Sequence, residues 1–183
     1  SNTGTAILGE RLDAQSRHDY LEKFGIGAAT GIGFPAETAG NMLPADQWFG
    51  QTYFTPMFGQ GVGVSAAQLS GAYQALANDG VRLPLQLVEG CEHEGEESDD
   101  AEDAPEGTRV ISADAAAETR AMMETVVTDG FLADELEMPG YRVAAKSGTG
   151  EQFDGDGNLK TTFMASMAGM VPADDPEYVV TVH

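Results

Sequence analysis

Apolar residues in the first half of the chain recur at helical spacing. The stretch Thr3 to Leu12 predicts a short helix that turns Ala6, Ile7 and Leu8 inward. A second helix follows, and Ser16 is its expected N-cap, because an acidic residue stands three positions later as in a capping box. The apolar face of this second helix consists of Tyr20, Leu21 and Phe24.

Two longer helices are predicted downstream. Ser65 and Gln68 form a capping box that opens a helix from Ala66 to Asn78. Ser112 is the expected N-cap of a helix from Ala113 to Thr128. The buried stripe of the first consists of Leu69, Tyr73 and Leu76, and that of the second of Ala116, Thr119, Met122, Met123, Val126 and Val127.

Beyond residue 140 the apolar spacing changes to two, which is typical of strands. Alternation from Tyr141 predicts a strand that runs into small residues, and Thr161–Val171 and Tyr178–Val182 follow as two more strands. Short turns between successive strands indicate an antiparallel meander. Together with an extended segment at Val81–Val88, the pattern predicts an α+β domain in which helices flank an antiparallel sheet.

The acidic balance of the chain limits its partners. The net charge of −21 disfavours nucleic acid and anionic membranes, because binding to either depends on lysine and arginine. Ten of the 30 acidic residues lie between Glu89 and Glu106, so residues 89–107 are expected to form a solvated, mobile insert. His93 lies in this run, and a solvated loop is the preferred interpretation over a weak cation site.

No metal or organic cofactor is predicted. The glycine-rich stretch 25–35 has Thr30 where a dinucleotide fingerprint needs its third glycine, and it lacks the lysine of a phosphate-binding loop. Asp154, Asp156 and Asn158 imitate the start of a calcium loop, but Leu159 occupies the position of the required glycine. A hairpin turn is therefore preferred there. The single cysteine, Cys91, excludes an internal disulfide.

Lys146-Ser147-Gly148-Thr149-Gly150 is the most informative segment of the chain. A lysine, two hydroxyls and two glycines on one strand give a cationic, hydrogen-bonding and sterically open edge, which suits an extended peptide that ends in a carboxylate. By themselves these five residues also fit a surface strand that enters a glycine-rich turn.

The flanking sequence resembles the transpeptidase domain of class B penicillin-binding proteins, above all the septal cell-division transpeptidase. The resemblance rests on Lys146-Ser-Gly148, which fits the third signature K-[ST]-G, and on three flanking segments. These segments are Gly59–Leu69, Ala72–Gly80 and Met138–Thr149, and Phe163–Pro176 continues the likeness. It implies a β-lactamase/transpeptidase-like fold, with residues 1–183 as the C-terminal half of one domain.

The resemblance also implies the roles of individual residues. Lys146 would serve the proton relay and the substrate, Ser147 and Thr149 would bind a carboxylate, Gly148 would leave room for the substrate, and the N–H of Thr149 would stabilise the oxyanion. Asn2 would be the asparagine of the second signature, S-x-N. The first signature, S-x-x-K, is missing, because none of the eight serines has a lysine three residues later.

What the resemblance implies for function is a serine D,D-transpeptidase that cross-links D-Ala-D-Ala stem peptides and binds β-lactams in cell-wall synthesis and division. The family works outside the cytoplasmic membrane and is anchored there by an N-terminal segment. The resemblance also implies two kinds of protein partner, the N-terminal half of the domain and divisome proteins. The alternative is a non-catalytic module of the same fold that senses β-lactams or acts as a scaffold. A serine β-lactamase fits less well, because no segment resembles a deacylation loop.

Overall fold

The computed structural model describes residues 1–87, 106–131, 133–153 and 159–183. The helices are α1 (Asn2–Gly9), α2 (Ala14–Lys23), α3 (Gln51–Phe54), α4 (Ala66–Ala77), α5 (Ala113–Thr128) and α6 (Ala133–Leu136), with 3-10 turns at Ala45–Gln47 and Thr55–Phe58. The strands are β1 (Val81–Arg82), β2 (Thr108–Arg109), β3 (Ala144–Phe153), β4 (Leu159–Val171) and β5 (Tyr178–Val182). The predictions for Cys91, His93, the acidic run up to residue 105 and the calcium-like residues 154–158 lie outside the described residues.

The main sheet is the predicted antiparallel meander. Its strands lie in the order β3-β4-β5, so β4 is central and β3 forms one edge. β1 and β2 pair separately as a two-stranded ribbon. The predicted extended segment from residue 81 is thus paired only at Val81 and Arg82, because β2 offers only two partner residues, Thr108 and Arg109.

Helices α4 and α5 pack together on one face of the sheet. Ala144 and Met170 pair across β3 and β4, and both are buried against Met123 of α5. Arg120 of α5, itself buried, donates to the carbonyl oxygen of Leu76 at 2.7 Å and so links α5 to α4. The core therefore lies between the helix pair and this face.

The caps predicted for the two longer helices are both confirmed. Ser65 and Gln68 form a reciprocal capping box at the start of α4, and Ser112 accepts a hydrogen bond from the backbone of Ala115 at the start of α5. In the predicted stripe of α5, Met123 is buried, whereas Met122 is 64% exposed. Successive helix positions point about 100° apart, so the two methionines do not share the buried face.

The first two helices differ from the prediction. Asp13, not Ser16, caps α2: the Asp13 carboxylate accepts from the backbone N–H of Ser16 at 2.7 Å, and α2 begins three residues earlier than a Ser16 cap would allow. The cap lowers the pKa of Asp13 through these hydrogen bonds. Ile7 and Leu8 are 63% and 59% exposed, because the described part of the chain places no element over that side of α1.

Strand β3 begins at Ala144, three residues later than predicted. The preceding segment is held by other contacts: Arg142 makes two 2.7 Å bonds to Glu124 of α5, and its carbonyl oxygen accepts from the backbone of Ala173. Ala144 and Ala145 are both buried, so strict alternation of buried and exposed residues fails at the start of the strand.

The second face of the sheet is open along β5. Its residues Tyr178, Val180 and Val182 are 64%, 56% and 58% exposed. Helices thus cover one face of the sheet, not both, within the described ranges. None of the described helices is both long and apolar enough to cross a membrane.

Candidate active-site cleft

A cleft of about 530 Å³ lies between the edge strand β3 and α4. Residues 146–151 of β3 form one wall, and Leu69 and Tyr73 of α4 form the opposite wall. The end of α2 and the loop from Pro56 to Val64 close the remaining side. The cleft falls within the size range of small-molecule and cofactor sites, about 300–1,000 Å³.

The structure brings all the third-signature residues to this cleft. Lys146, Ser147, Gly148 and Thr149 line it side by side. Lys146 and Gly148 lie on the same face of β3 as Ala144, which is the helix-covered face. Ser147 and Thr149 alternate with them along the strand. Because β3 pairs only with β4 among the described strands, its outer edge is available to an extended ligand.

Gly148 is required by its neighbour on β4. Gly148 lies opposite Ser166, and a β-carbon on Gly148 would approach the Ser166 hydroxyl oxygen to 2.8 Å. Ser166 itself lines the cleft and donates to the carbonyl oxygen of Gly148 at 3.5 Å. The strand can therefore carry no side chain at this position without displacing Ser166.

The charge in the cleft is mixed. Lys146 is the only lysine or arginine among the described residues that line it, and its ammonium donates to the backbone carbonyl of Ser147. Glu151 and His183 also line the cleft. Burial raises the pKa of Tyr73, so its phenol stays protonated at neutral pH and does not supply a basic oxygen. A carboxylate ligand would find its positive partner at Lys146.

The loop opposite β3 is positioned by Gln68. The Gln68 side chain is 1% exposed, and its amide nitrogen donates at 2.8 Å to the carbonyl oxygens of both Ala28 and Ala39. This draws the glycine-rich connector against the cleft loop, where Asn41 and Gly63 exchange backbone hydrogen bonds. Gly40 has a φ of 72°, and a β-carbon there would lie 2.2 Å from the carbonyl oxygen of Gly63.

Asn2 lies elsewhere. It begins α1, is exposed and is not among the residues that line the cleft. One group of side chains with metal-ligand chemistry, His18, Asp19 and Glu22, clusters on α2 within the described ranges. None of the three lines the cleft, and the sequence reasoning did not identify them.

Several cleft residues were assigned to the core or left unassigned in the sequence analysis. Leu69 and Tyr73 were placed with Leu76 in a buried helical stripe. Tyr73 and Leu76 do pack against the core, but Leu69 and Tyr73 are only half-buried and also line the cleft. Ser166 was not identified, although its place on β4 follows once the register with Gly148 is known. The strand boundaries predicted from the sequence did not fix this register, in which Gly148 lies opposite Ser166.

The whole chain matches a known family. A profile of the family described as "Penicillin binding protein transpeptidase domain" matches residues 1–183. The chain is 36% identical to penicillin-binding protein PbpB of Mycobacterium tuberculosis, over all of this chain and 28% of that protein. It is 33% identical to the probable peptidoglycan D,D-transpeptidase PenA of Neisseria gonorrhoeae, over all of this chain and 29% of that protein. The chain thus spans less than a third of the length of these curated relatives.

A solved structure agrees with this match. The crystal structure of penicillin-binding protein 3 from Mycobacterium tuberculosis in complex with aztreonam superposes with a TM-score of 0.84 at 36% identity, over 99% of this chain and 42% of that one. The arrangement of helices on an antiparallel sheet therefore recurs in a protein solved with a bound β-lactam.

Proposed function

Because this chain belongs to the penicillin-binding protein transpeptidase family, we propose that it provides the substrate-strand part of a serine D,D-transpeptidase. The whole protein would cross-link peptidoglycan stem peptides and bind β-lactams during cell-wall synthesis and division. The observation that carries this proposal is the row Lys146 to Thr149 on an unpaired strand edge that faces a cleft. The predicted β-lactamase/transpeptidase-like α+β fold is confirmed by the structural match.

The edge of β3 would bind the stem peptide as an added strand. An extended D-Ala-D-Ala terminus can lie against Gly148, where no side chain intervenes, and exchange backbone hydrogen bonds with the strand. Its terminal carboxylate would be held by the Lys146 ammonium and by the hydroxyls of Ser147 and Thr149. The same contacts would hold the carboxylate of a penicillin.

The reaction is two acyl transfers. A serine hydroxyl of the whole protein attacks the carbonyl of the penultimate D-Ala and gives its proton to the relay. The relay passes a proton to the departing nitrogen as the peptide bond breaks, so the terminal D-Ala leaves as an amine. The amine of a neighbouring stem then attacks the acyl-enzyme ester and loses a proton to the relay, the ester C–O bond breaks, and the serine takes up that proton. The N–H of Thr149 would be one oxyanion donor, and such a donor is typically worth about 3–4 kcal/mol in the transition state.

In this proposal the nucleophilic serine lies in a part of the protein outside these 183 residues. No serine of the chain stands in an S-x-x-K context, so we propose that residues 1–183 form the C-terminal part of a domain completed by an N-terminal half. In this proposal Asn2 remains the asparagine of the S-x-N signature. The N-terminal half would position Asn2 at the cleft. An extracytoplasmic site at the membrane and divisome partners are further parts of this proposal.

The second candidate is a non-catalytic module of the same fold that binds β-lactams or scaffolds division proteins. This candidate uses the same unpaired edge of β3 as a binding surface and needs no nucleophile. The two candidates differ in the whole protein, where the enzyme requires an S-x-x-K serine before the Asn2 segment and the module does not.

The deciding experiment is intact-mass analysis after incubation with a labelled penicillin. We expect the full-length protein to gain the mass of one penicillin and the 183-residue chain to gain none. Lys146→Ala in the full-length protein should abolish the adduct, whereas Lys160→Ala, an exposed lysine on β4, should not. A full-length protein that never acylates would reject the enzyme and favour the module.

A further inference from the structure

Opposite charges stand at the two ends of the cleft wall that β3 forms. Lys146 lies at one end of the lining segment and Glu151 at the other. Five residues of extended strand separate them, which corresponds to about 17 Å. Glu151 is still part of the regular ladder, because it pairs with Phe163 on β4 and the irregularity in the register begins only after it. Its place along the edge is therefore fixed by the same pairing that positions the signature residues.

Glu151 continues the row of hydroxyl residues on β3. Alternate residues of a strand share a face, so Glu151 lies on the same face as Ser147 and Thr149. It is exposed, and none of the ion pairs between described residues includes it. Its carboxylate repels a substrate carboxylate and attracts a cation. The two ends of the cleft wall thus favour opposite charges on a bound ligand.

The strand leaves room for a ligand side chain beside Glu151. A β-carbon at Gly150 would meet no atom of the described residues within 4 Å. Met164 lies opposite Gly150 on β4, lines the cleft and is 43% exposed. An open glycine next to a flexible thioether side chain offers an apolar surface to methylene groups, and the Glu151 carboxylate lies beside it. This combination suits a long side chain with an apolar stem and a cationic tip.

The proposed reaction fixes which part of the substrate reaches Glu151. In that reaction the terminal carboxylate lies at Lys146, and the carbonyl of the penultimate D-Ala lies at the N–H of Thr149. The stem therefore continues along β3 toward Gly150, antiparallel to the strand. Glu151 lies two residues beyond Thr149, which is about 7 Å. The stem residue that precedes D-Ala-D-Ala can place its side chain within reach of the Glu151 carboxylate.

We propose that Glu151 binds the ammonium group of a basic side chain on the stem residue that precedes D-Ala-D-Ala, and so determines which stem peptides are preferred. The aliphatic part of that side chain lies over Gly150 and against Met164. This inference rests on the proposed function, because it takes the direction of the stem from the carboxylate site. Glu151 is then a specificity-determining residue that lies outside the K-[ST]-G signature.

The test compares two peptides that differ by one charge. The first is Nα-acetyl-L-lysyl-D-Ala-D-Ala with a free side-chain amine, and the second carries an acetyl group on that amine. Release of D-Ala by the full-length protein gives kcat/KM for each peptide, and this quantity reports acylation by the donor peptide. We expect the free amine to be preferred about fivefold, as for an ion pair that water still reaches. The preference should shrink as salt is added, because salt screens exposed charges.

Three variants of the full-length protein assign the preference to Glu151. Glu151→Gln should bring the ratio of the two kcat/KM values to about one, and Glu151→Lys should make the acetylated peptide the better substrate. A damaged fold cannot produce such a reversal, because it lowers both rates together. Glu118→Gln removes the same charge from an exposed site on α5 outside the cleft, and it should retain the fivefold preference.

Three results would overturn the inference and leave the proposed function intact. They are equal kcat/KM for the two peptides in the unaltered protein, a preference that survives in Glu151→Gln, and an equal loss of preference in Glu118→Gln. The last result would assign the preference to the net charge of −21. If penicillin acylates the protein but neither peptide releases D-Ala, the ratio is read from how strongly each peptide slows that acylation, and equal slowing or none overturns the inference. If penicillin does not acylate the protein either, the proposed function itself is rejected.

Discussion

Gln68 offers a direct test of how the cleft loop is held in place. Its side chain makes three hydrogen bonds: Oε1 accepts from the Ser65 backbone at 2.8 Å, and Nε2 donates to Ala28 and Ala39. Gln68→Leu removes all three while keeping a side chain of similar bulk. The perturbation is therefore polar, and the change in packing volume is small.

The expected cost follows from the number of bonds. A hydrogen bond contributes about 1 kcal/mol to stability once exchange with water is counted, so three bonds give about 3 kcal/mol. Gln74, also on α4, is a matched control because its Oε1 accepts only one bond, from the backbone of Leu83 at 3.0 Å. Gln74→Leu should therefore cost about 1 kcal/mol.

Urea unfolding of the 183-residue chain measures both values. The fluorescence of Trp48, the single tryptophan, reports the transition because this residue is buried. Hydrogen exchange at the Gly63 amide, which donates to the carbonyl oxygen of Asn41 at 2.7 Å, should accelerate in Gln68→Leu only. Equal destabilisation by the two substitutions, with Gly63 still protected in both, would refute the role assigned to Gln68.

Three further outcomes are expected. Gly148→Ala should slow penicillin acylation of the full-length protein about 100-fold, and adding Ser166→Ala should recover part of the loss; no recovery would mean that the 2.8 Å approach is not the cause. Hydrogen bonds from Arg142 lower the pKa of Glu124, so the Glu124 carboxylate stabilises the fold when it is ionised. Glu124→Gln should therefore be less stable than the parent at pH 7, and unfolding curves should converge as the pH falls below 4.5, the ordinary pKa of this carboxyl; a gap that persists in acid would contradict this. Met170→Ala should cost about 2–5 kcal/mol in urea unfolding and Met122→Ala less than about 0.5, and equal costs would contradict the core assignment.

Local chemistry determined much of this protein from sequence alone. The caps at Ser65 and Ser112 were predicted correctly because a capping bond joins residues three apart, and no distant contact is needed to form it. The order of three strands followed from apolar spacing and short turns, and Lys146 to Thr149 stood out because Lys146-Ser-Gly148 fits the K-[ST]-G signature.

Contacts between distant residues decided the rest. The start of β3 moved to Ala144 because Arg142 is bound to Glu124 on a helix eighteen residues away. Leu69 and Tyr73 line the cleft opposite β3, and a helical period cannot distinguish a residue that faces a core from one that faces a cleft. The burial of Arg17 was likewise not visible in the sequence. It arises because Trp48 and Tyr53 fold over α2 from more than thirty residues downstream, and burial is a property of the surroundings, not of the residue itself.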